Sequence, residues 1–210
     1  MYLFFDTETT GLPKDWKAPI SDLDNWPRLV QIAWSRYDSS GNKVSDYNYI
    51  IKPQGFIIPA YSSIIHRIST ERALTEGFDL KMVLEKFAQE IKSVKFLVAH
   101  NMDFDVKVVA SEFFRNDISN NISEISKICT MKESTSFCQI EGSYGFKWPT
   151  LSELYLKLFE EDFQDAHDAS VDMSACSKCF FELRKMNIIS SKEIDQKEKE
   201  YAQERNIKLI

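Results

Sequence analysis

The sequence predicts one α/β domain built on a mixed central β-sheet flanked by α-helices. Three observations predict it. Strand-like runs in hairpin order fill the first 52 residues, and helix and strand patterns alternate after them. The chain has 210 residues, 43% hydrophobic and 28% charged, which suits a single core of ordinary composition.

Tyr2 to Phe5 is apolar and runs into Asp-Thr-Glu-Thr-Thr-Gly, so it reads as a short buried strand entering a loop. Residues 11–27 carry Gly11, Pro13, Pro19 and Pro27 with little periodicity, and read as a long loop. Arg28 to Tyr37 and Val44 to Lys52 read as strands joined across the turn cluster Asp38 to Asn42. Residues 59–76 read as short helical turns around His66. From Asp79 to Ile91, Leu80, Val83, Leu84, Phe87, Ala88 and Ile91 recur at helical spacing. Phe96 to Ala99 is a short buried strand leading into His100-Asn101, and residues 104–115 read as a helix. Lys127 to Thr130 reads as a small strand. Thr150-Leu-Ser-Glu153 after Pro149 is a capping box, which starts a helix running to about Phe159. A further helix covers 168–185, and 190–206 is charged and polar, an exposed helix with little to bury. The domain is therefore set at 1–186, with 187–210 as a charged helical tail.

Charge and cysteine usage narrow the class. No run approaches the roughly 18 apolar residues of a membrane span. The formal net charge is −6, whereas the usual footprint of a nucleic-acid binder is basic. Between Glu153 and Asp172, however, seven acids face one base, so this segment alone carries that −6. The acidity speaks against tight duplex binding through a basic face, not against nucleic acid as such. Cys129, Cys138, Cys176 and Cys179 are too unevenly spaced for a secreted disulfide framework. The first residues lack the basic and apolar regions of a secretory signal, so a cytoplasmic protein with reduced thiols is expected. Cys176 and Cys179 match half a zinc site, but without a second close pair they are expected to be small buried residues on a helix.

Asp6 and Glu8 are two apart on the first strand, which puts both carboxylates on one face. Two adjacent carboxylates repel unless one is protonated or a cation lies between them. Hard oxygen ligands at this density favour Mg²⁺ or Mn²⁺. Taken alone, Asp-x-Glu is a common pattern and reads equally as incidental acids.

Two more segments change its weight: His100-Asn101-Met-Asp-Phe104-Asp105 after a strand, and His167-Asp-Ala169-Ser-Val-Asp172 at the start of the last core helix. With Phe5 to Leu12 they resemble the motifs of the DEDDh branch of the DEDD exonuclease superfamily. This is the DnaQ-like group that contains the proofreading ε subunit of bacterial DNA polymerase III and ribonuclease T. Ile65-His66-Arg67-Ile68 matches an auxiliary motif, with Arg67 where the family often has Gly. Order and spacing agree over residues 1–185.

The resemblance implies a ribonuclease H-like sheet and a metal-dependent 3′→5′ exonuclease that releases nucleoside 5′-monophosphates from single-stranded or frayed ends. It implies that Asp6, Glu8, Asp105 and Asp172 hold two Mg²⁺ or Mn²⁺ ions, with Asp6 between them. Glu8 and Asp172 would then serve the ion on the attacking-water side, and Asp105 the ion on the leaving-group side. His167 would be the general base, a task suited to imidazole at neutral pH. An ideal helix places His167 and Asp172 about 140° apart, so His167 must lie in the loop or first turn. Asp165 and Asp168 flank it as possible N-caps. Asp103 and Asp168 are expected to be bystanders, and His100 to make structural hydrogen bonds.

Thr9, Thr10, Gly11 and Leu12 would line the terminal-nucleotide pocket, with His66 touching substrate and Phe104 offering a stacking face. Trp16 and Trp26 either extend that platform or pack their loop onto the core, and Trp148 is expected in the core. The expected partner is nucleic acid with a 3′ end, DNA ahead of RNA, although no residue chooses between them. Two rival readings stand: an exoribonuclease, and a docking body for a DNA polymerase subunit. The tail, if not merely a solvated helix end, is the segment that could recruit such a partner.

Overall fold

The structure, a computed structural model, describes residues 1–164, 166–190, 192, 194 and 196. Strand β1 (Tyr2–Thr9) is the centre of a five-stranded sheet. β2 (Leu29–Tyr37) pairs antiparallel with β1, and β3 (Lys43–Ile50) pairs antiparallel with β2. Two short helices follow, α1 (Ala60–His66) and α2 (Thr70–Glu76), and then α3 (Leu80–Ile91), capped by the Asp79 side chain on Met82 N. β4 (Phe96–Ala99) adds in parallel to the other edge of β1. α4 (Met102–Arg115) leads to β5 (Ser126–Cys129), parallel to β4, so the order is β3-β2-β1-β4-β5.

Single-turn helices α5 (Thr130–Glu133) and α6 (Thr135–Cys138) and a small hairpin, β6 (Glu141–Gly142) and β7 (Gly145–Phe146), come next. The chain closes with α7 (Leu151–Phe159) and α8 (Ala169–Lys185). The capping box at Thr150 and Glu153 is fully formed.

Strand alternation divides the core. Leu3 and Phe5 face one way, with Trp34, Leu97 and the apolar stripes of α3 and α4. Tyr2 and Phe4 face the other, against Met173, Cys176, Phe180 and Leu183 of α8 and Leu154 of α7. The four cysteines are unbridged and buried, as expected of small apolar residues.

Several expectations are corrected. The first strand does not end at Phe5: β2 pairs opposite Asp6 and Glu8, so the ladder carries both acids inside the sheet. Trp148 is exposed, not core, because it follows the hairpin in extended chain, with the Lys132 ammonium over its ring. The hairpin itself has strands of two residues, too short to show a period. Most of 190–206 lies outside the described residues, but Ile194 is buried against the α8 side of the core. No described helix is long and apolar enough to cross a membrane.

Candidate active site

The site lies where β1 outruns its neighbour. β4 pairs with β1 only as far as Phe4, so the β4-side edge of β1 is open beyond it. Asp105, in the first turn of α4, fills that opening. Its Oδ1 accepts from the Thr7 amide at 3.2 Å and the Thr7 hydroxyl at 2.8 Å. These bonds fix a carboxylate that is only 3% exposed. Asp103, two residues earlier, points outward and pairs with Lys132, which separates the site acid from the bystander.

Asp6 and Glu8 project from the α8 face of β1, and α8 brings Asp172 to them in its own first turn. The helix starts at Ala169, with Asp168 as N-cap accepting from Ser170 N at 2.9 Å. His167 therefore lies outside the helix, at φ +69, the placement its five-residue spacing from Asp172 demands. The His167 amide donates to Asp172 Oδ2 at 3.0 Å. One ligand atom each from Glu8, His167 and Asp172 lie within 4.8 Å of one another. Asp165, the other possible cap, lies outside the described residues.

Four carboxylates in one low-dielectric pocket disfavour each other's charge. Burial lifts Asp6 well above the ordinary carboxylate range, and the charges of Asp105, Asp172 and Glu8 lift it further. Burial first, then Asp172 and Asp105, pushes Glu8 up to about 8. Burial takes Asp105 to about 7 against the opposing Thr7 hydrogen bonds. It takes Asp172 to about 6 against the His167 amide. Among the described residues, Asp172 Oδ1 is buried without a hydrogen-bond partner. A hard-oxygen donor set with raised proton affinity and an orphaned buried oxygen fits divalent cations, which relieve the repulsion without protonation.

The loop after β1 is held from three sides. Thr10 N donates to Arg28 O at 2.9 Å, and the Thr10 side chain accepts from Arg28 N at 2.9 Å. The Tyr61 hydroxyl donates to Thr10 O at 2.9 Å. Gly11 sits at φ +148, a backbone conformation that favours glycine, and a Cβ there would meet Tyr61 Oη at 2.6 Å, so Tyr61 would have to shift. Leu12 is 71% exposed, free to meet a ligand.

His66 is buried at the end of α1, its Nδ1 accepting from Ile68 N at 3.2 Å. Burial lowers its pKa, opposed by the Thr9 backbone, while the neighbouring His167 lowers it further, which places His66 beside both residues. Among the described residues its Nε2 makes no hydrogen bond of good geometry. Arg67 next to it takes the left-handed C-cap conformation at φ 59, which glycine adopts at least cost.

His100 is structural. Pro149 O can only accept, at 3.0 Å from Nε2, so Nε2 carries the proton and Nδ1 faces Thr130 Oγ1 at 2.9 Å. Burial drops its pKa to about 4. The two loop tryptophans divide. Trp26 is buried, its indole N–H on Pro19 O, whereas Trp16 is half exposed with its ring 5.8 Å from that of Phe104.

Sequence reasoning missed Thr7, Tyr61 and Gln31, whose Oε1 accepts from Ala169 N at 3.2 Å and anchors the start of α8. Thr7 was legible in principle, as the residue between Asp6 and Glu8 on the opposite face. Nothing in the sequence around Tyr61 marks its contact with a loop fifty residues away.

Comparisons with known proteins agree with this geometry. A family model described as Exonuclease (RNase_T) matches residues 3–180. A DNA polymerase III PolC-type protein of Mycoplasmopsis pulmonis is 28% identical over 181 residues, 85% of this chain but 11% of that protein. The chain thus spans about a tenth of that relative's length. Among solved structures, E. coli exonuclease I in complex with a dT13 oligonucleotide superposes with TM-score 0.64 at 23% identity, over 87% of this chain and 40% of that one. Exonuclease X in complex with 5′-overhanging duplex DNA gives TM-score 0.55 at 20% identity, over 87% and 91% of the two chains. The mixed sheet flanked by helices is the ribonuclease H-like fold of these solved exonuclease structures.

Proposed function

Because the chain belongs to the Exonuclease (RNase_T) family, we propose that it is a metal-dependent 3′→5′ exonuclease that releases nucleoside 5′-monophosphates from single-stranded or frayed DNA ends. The observation that carries this reading is the convergence of Asp6, Glu8, Asp105 and Asp172 from three elements, with His167 at their edge.

Asp6, Glu8, Asp105 and Asp172 would hold two Mg²⁺ or Mn²⁺ ions. Such ions, when bound, neutralise the scissile phosphate and the developing charge on the attacking and leaving oxygens. The residues of the chain supply the rest. A ring nitrogen of His167 takes one proton from a water whose oxygen attacks the terminal phosphorus. The bond to the 3′ oxygen of the penultimate nucleotide breaks, and that oxygen leaves and takes a proton from solvent to become a new 3′-hydroxyl. Thr7 holds Asp105 in place, and the amide of His167 does the same for Asp172. The Thr9–Leu12 loop, with His66 and Phe104, receives the terminal nucleotide.

DNA is preferred over RNA on the strength of the DNA-bound neighbours and the polymerase relative. The same relative supports a proofreading or repair setting, with 1–186 as the nuclease domain and 187–210 as the segment that contacts a polymerase. Unbridged thiols fit the reducing cytoplasm. The test is digestion of matched end-labelled DNA and RNA oligomers with Mn²⁺ or EDTA. DNA should shorten only with Mn²⁺, and Asp6→Ala should abolish the shortening. Faster loss of RNA would reassign the substrate. A polymerase that co-purifies equally with a chain ending at Lys185 would remove the role given to the tail.

A further inference from the structure

The small hairpin carries a feature that neither the core nor the carboxylate cluster uses. Tyr144, Phe146 and Trp148 occur at every second position and are 104%, 51% and 59% exposed. Aromatic rings left this far in water are costly unless they meet a partner. The hairpin is well anchored at its base: Lys147 N bonds Ile140 O at 2.9 Å, and the Lys147 ammonium pairs with Glu153 of α7 at 2.6 Å. Its exposure is therefore built in, not a result of a loose tip.

Two contacts tie the residues just after it to the end of β4 and the first turn of α4. Lys132 lies with Nζ 5.8 Å from the Trp148 ring and pairs with Asp103. Pro149 O bonds His100 at the end of β4. Asp103, Phe104 and Asp105 then point three ways, toward Lys132, toward Trp16 and into the carboxylate cluster. Trp148, two residues beyond Phe146 in the same extended run, thus stands beside the helix turn that carries Asp105.

We propose that Tyr144, Phe146 and Trp148 form a stacking track for the single strand upstream of its 3′ terminus. The inference rests on the nuclease reading and extends it to the next nucleotides. Chemistry selects this occupant. From Glu141 to Trp148 there is no Leu, Ile, Val or Met, so the surface offers flat π-faces and a lysine rather than an aliphatic patch for a protein. Stacking on such faces accepts any base. The track needs unpaired bases, so it favours single strands over duplex.

Binding and cleavage are read separately. Fluorescein-labelled oligodeoxythymidines of increasing length are titrated with the full chain in EDTA, and cleavage is followed in Mn²⁺. Wild-type affinity should rise with length, and Phe146→Ala and Trp148→Ala should each weaken binding of the long oligomer roughly 5- to 100-fold. Trp148→Phe should restore most of the loss, which a merely structural role would not require. The KM for long strands should rise with kcat preserved. Because the rings are exposed, melting temperatures should match wild type. Alanine variants that bind the long oligomer as tightly as wild type would overturn the track. Wild type that binds in this length-dependent way but cleaves nothing would overturn the nuclease reading and leave the track standing.

Discussion

The carboxylates of this site differ in how they are held, and single substitutions should separate them. Asp105 is placed by both the amide and the hydroxyl of Thr7. Thr7→Val keeps the shape and the amide bond but removes the hydroxyl. Loss of an outer partner of this kind costs about 10- to 100-fold in metal affinity or activity. That loss should appear in a Mn²⁺ titration of activity. Asp105→Asn should lose at least about 100-fold, whereas Asp103→Asn, on the exposed side of the same turn, should stay within about 2-fold. The reverse pattern would mean that the wrong acid has been chosen. Both acids were visible in the sequence, but only the structure shows that one is buried on Thr7 and the other is paired at the surface.

At the scale of elements, the site depends on one strand being longer than its neighbour. β4 stops short, the edge of β1 opens, and the first turn of α4 closes it with Asp105. His100, just past the end of β4, bonds Thr130 and Pro149 at once. His100→Ala should leave the Pro149 carbonyl unsatisfied, while Thr130 keeps Ala99 O at 3.3 Å, and destabilise the fold by about 1–3 kcal/mol. Thermal or denaturant melting would measure it, and no drop would remove the structural role. Long amphipathic elements such as Leu80–Ile91 were legible because their period runs over three turns. The spacing of Asp6 and Glu8 already put them on the first strand, but its run through Thr9, with β2 paired opposite both acids, is visible only in the structure. The 141–146 hairpin was hidden because two-residue strands have no period, and with it went the placement of Trp148.

For the whole molecule, the carboxylate cluster couples stability to pH and metal. Asp6 is raised well above the ordinary range, and Glu8, Asp105 and Asp172 lie near 8, 7 and 6. Folded pKa values above the unfolded ones of about 4 mean that the folded metal-free chain binds protons more tightly. Their contribution to stability is full below about pH 4 and is lost as pH rises through about 6 to 8. Divalent ions compete with those protons. The rise in melting temperature on replacing EDTA with Mn²⁺ should therefore be larger near pH 8 than near pH 5.5. An equal rise at both would show that the acids do not share the ions. The same cluster resolves the acidic balance of the chain: a segment that carries the whole −6 ends at Asp172, one of the proposed ligands.

The central claim is that these acids and His167 remove nucleotides from a 3′ end with the help of divalent ions. A single-stranded DNA oligomer labelled at its 5′ end, incubated with the protein and Mn²⁺, tests it in one gel. The expected result is a ladder that shortens one nucleotide at a time from the unlabelled end, with nucleoside 5′-monophosphates released, and no ladder in EDTA or with Asp6→Ala. A labelled mononucleotide as the first product, or shortening that persists in EDTA, would contradict it.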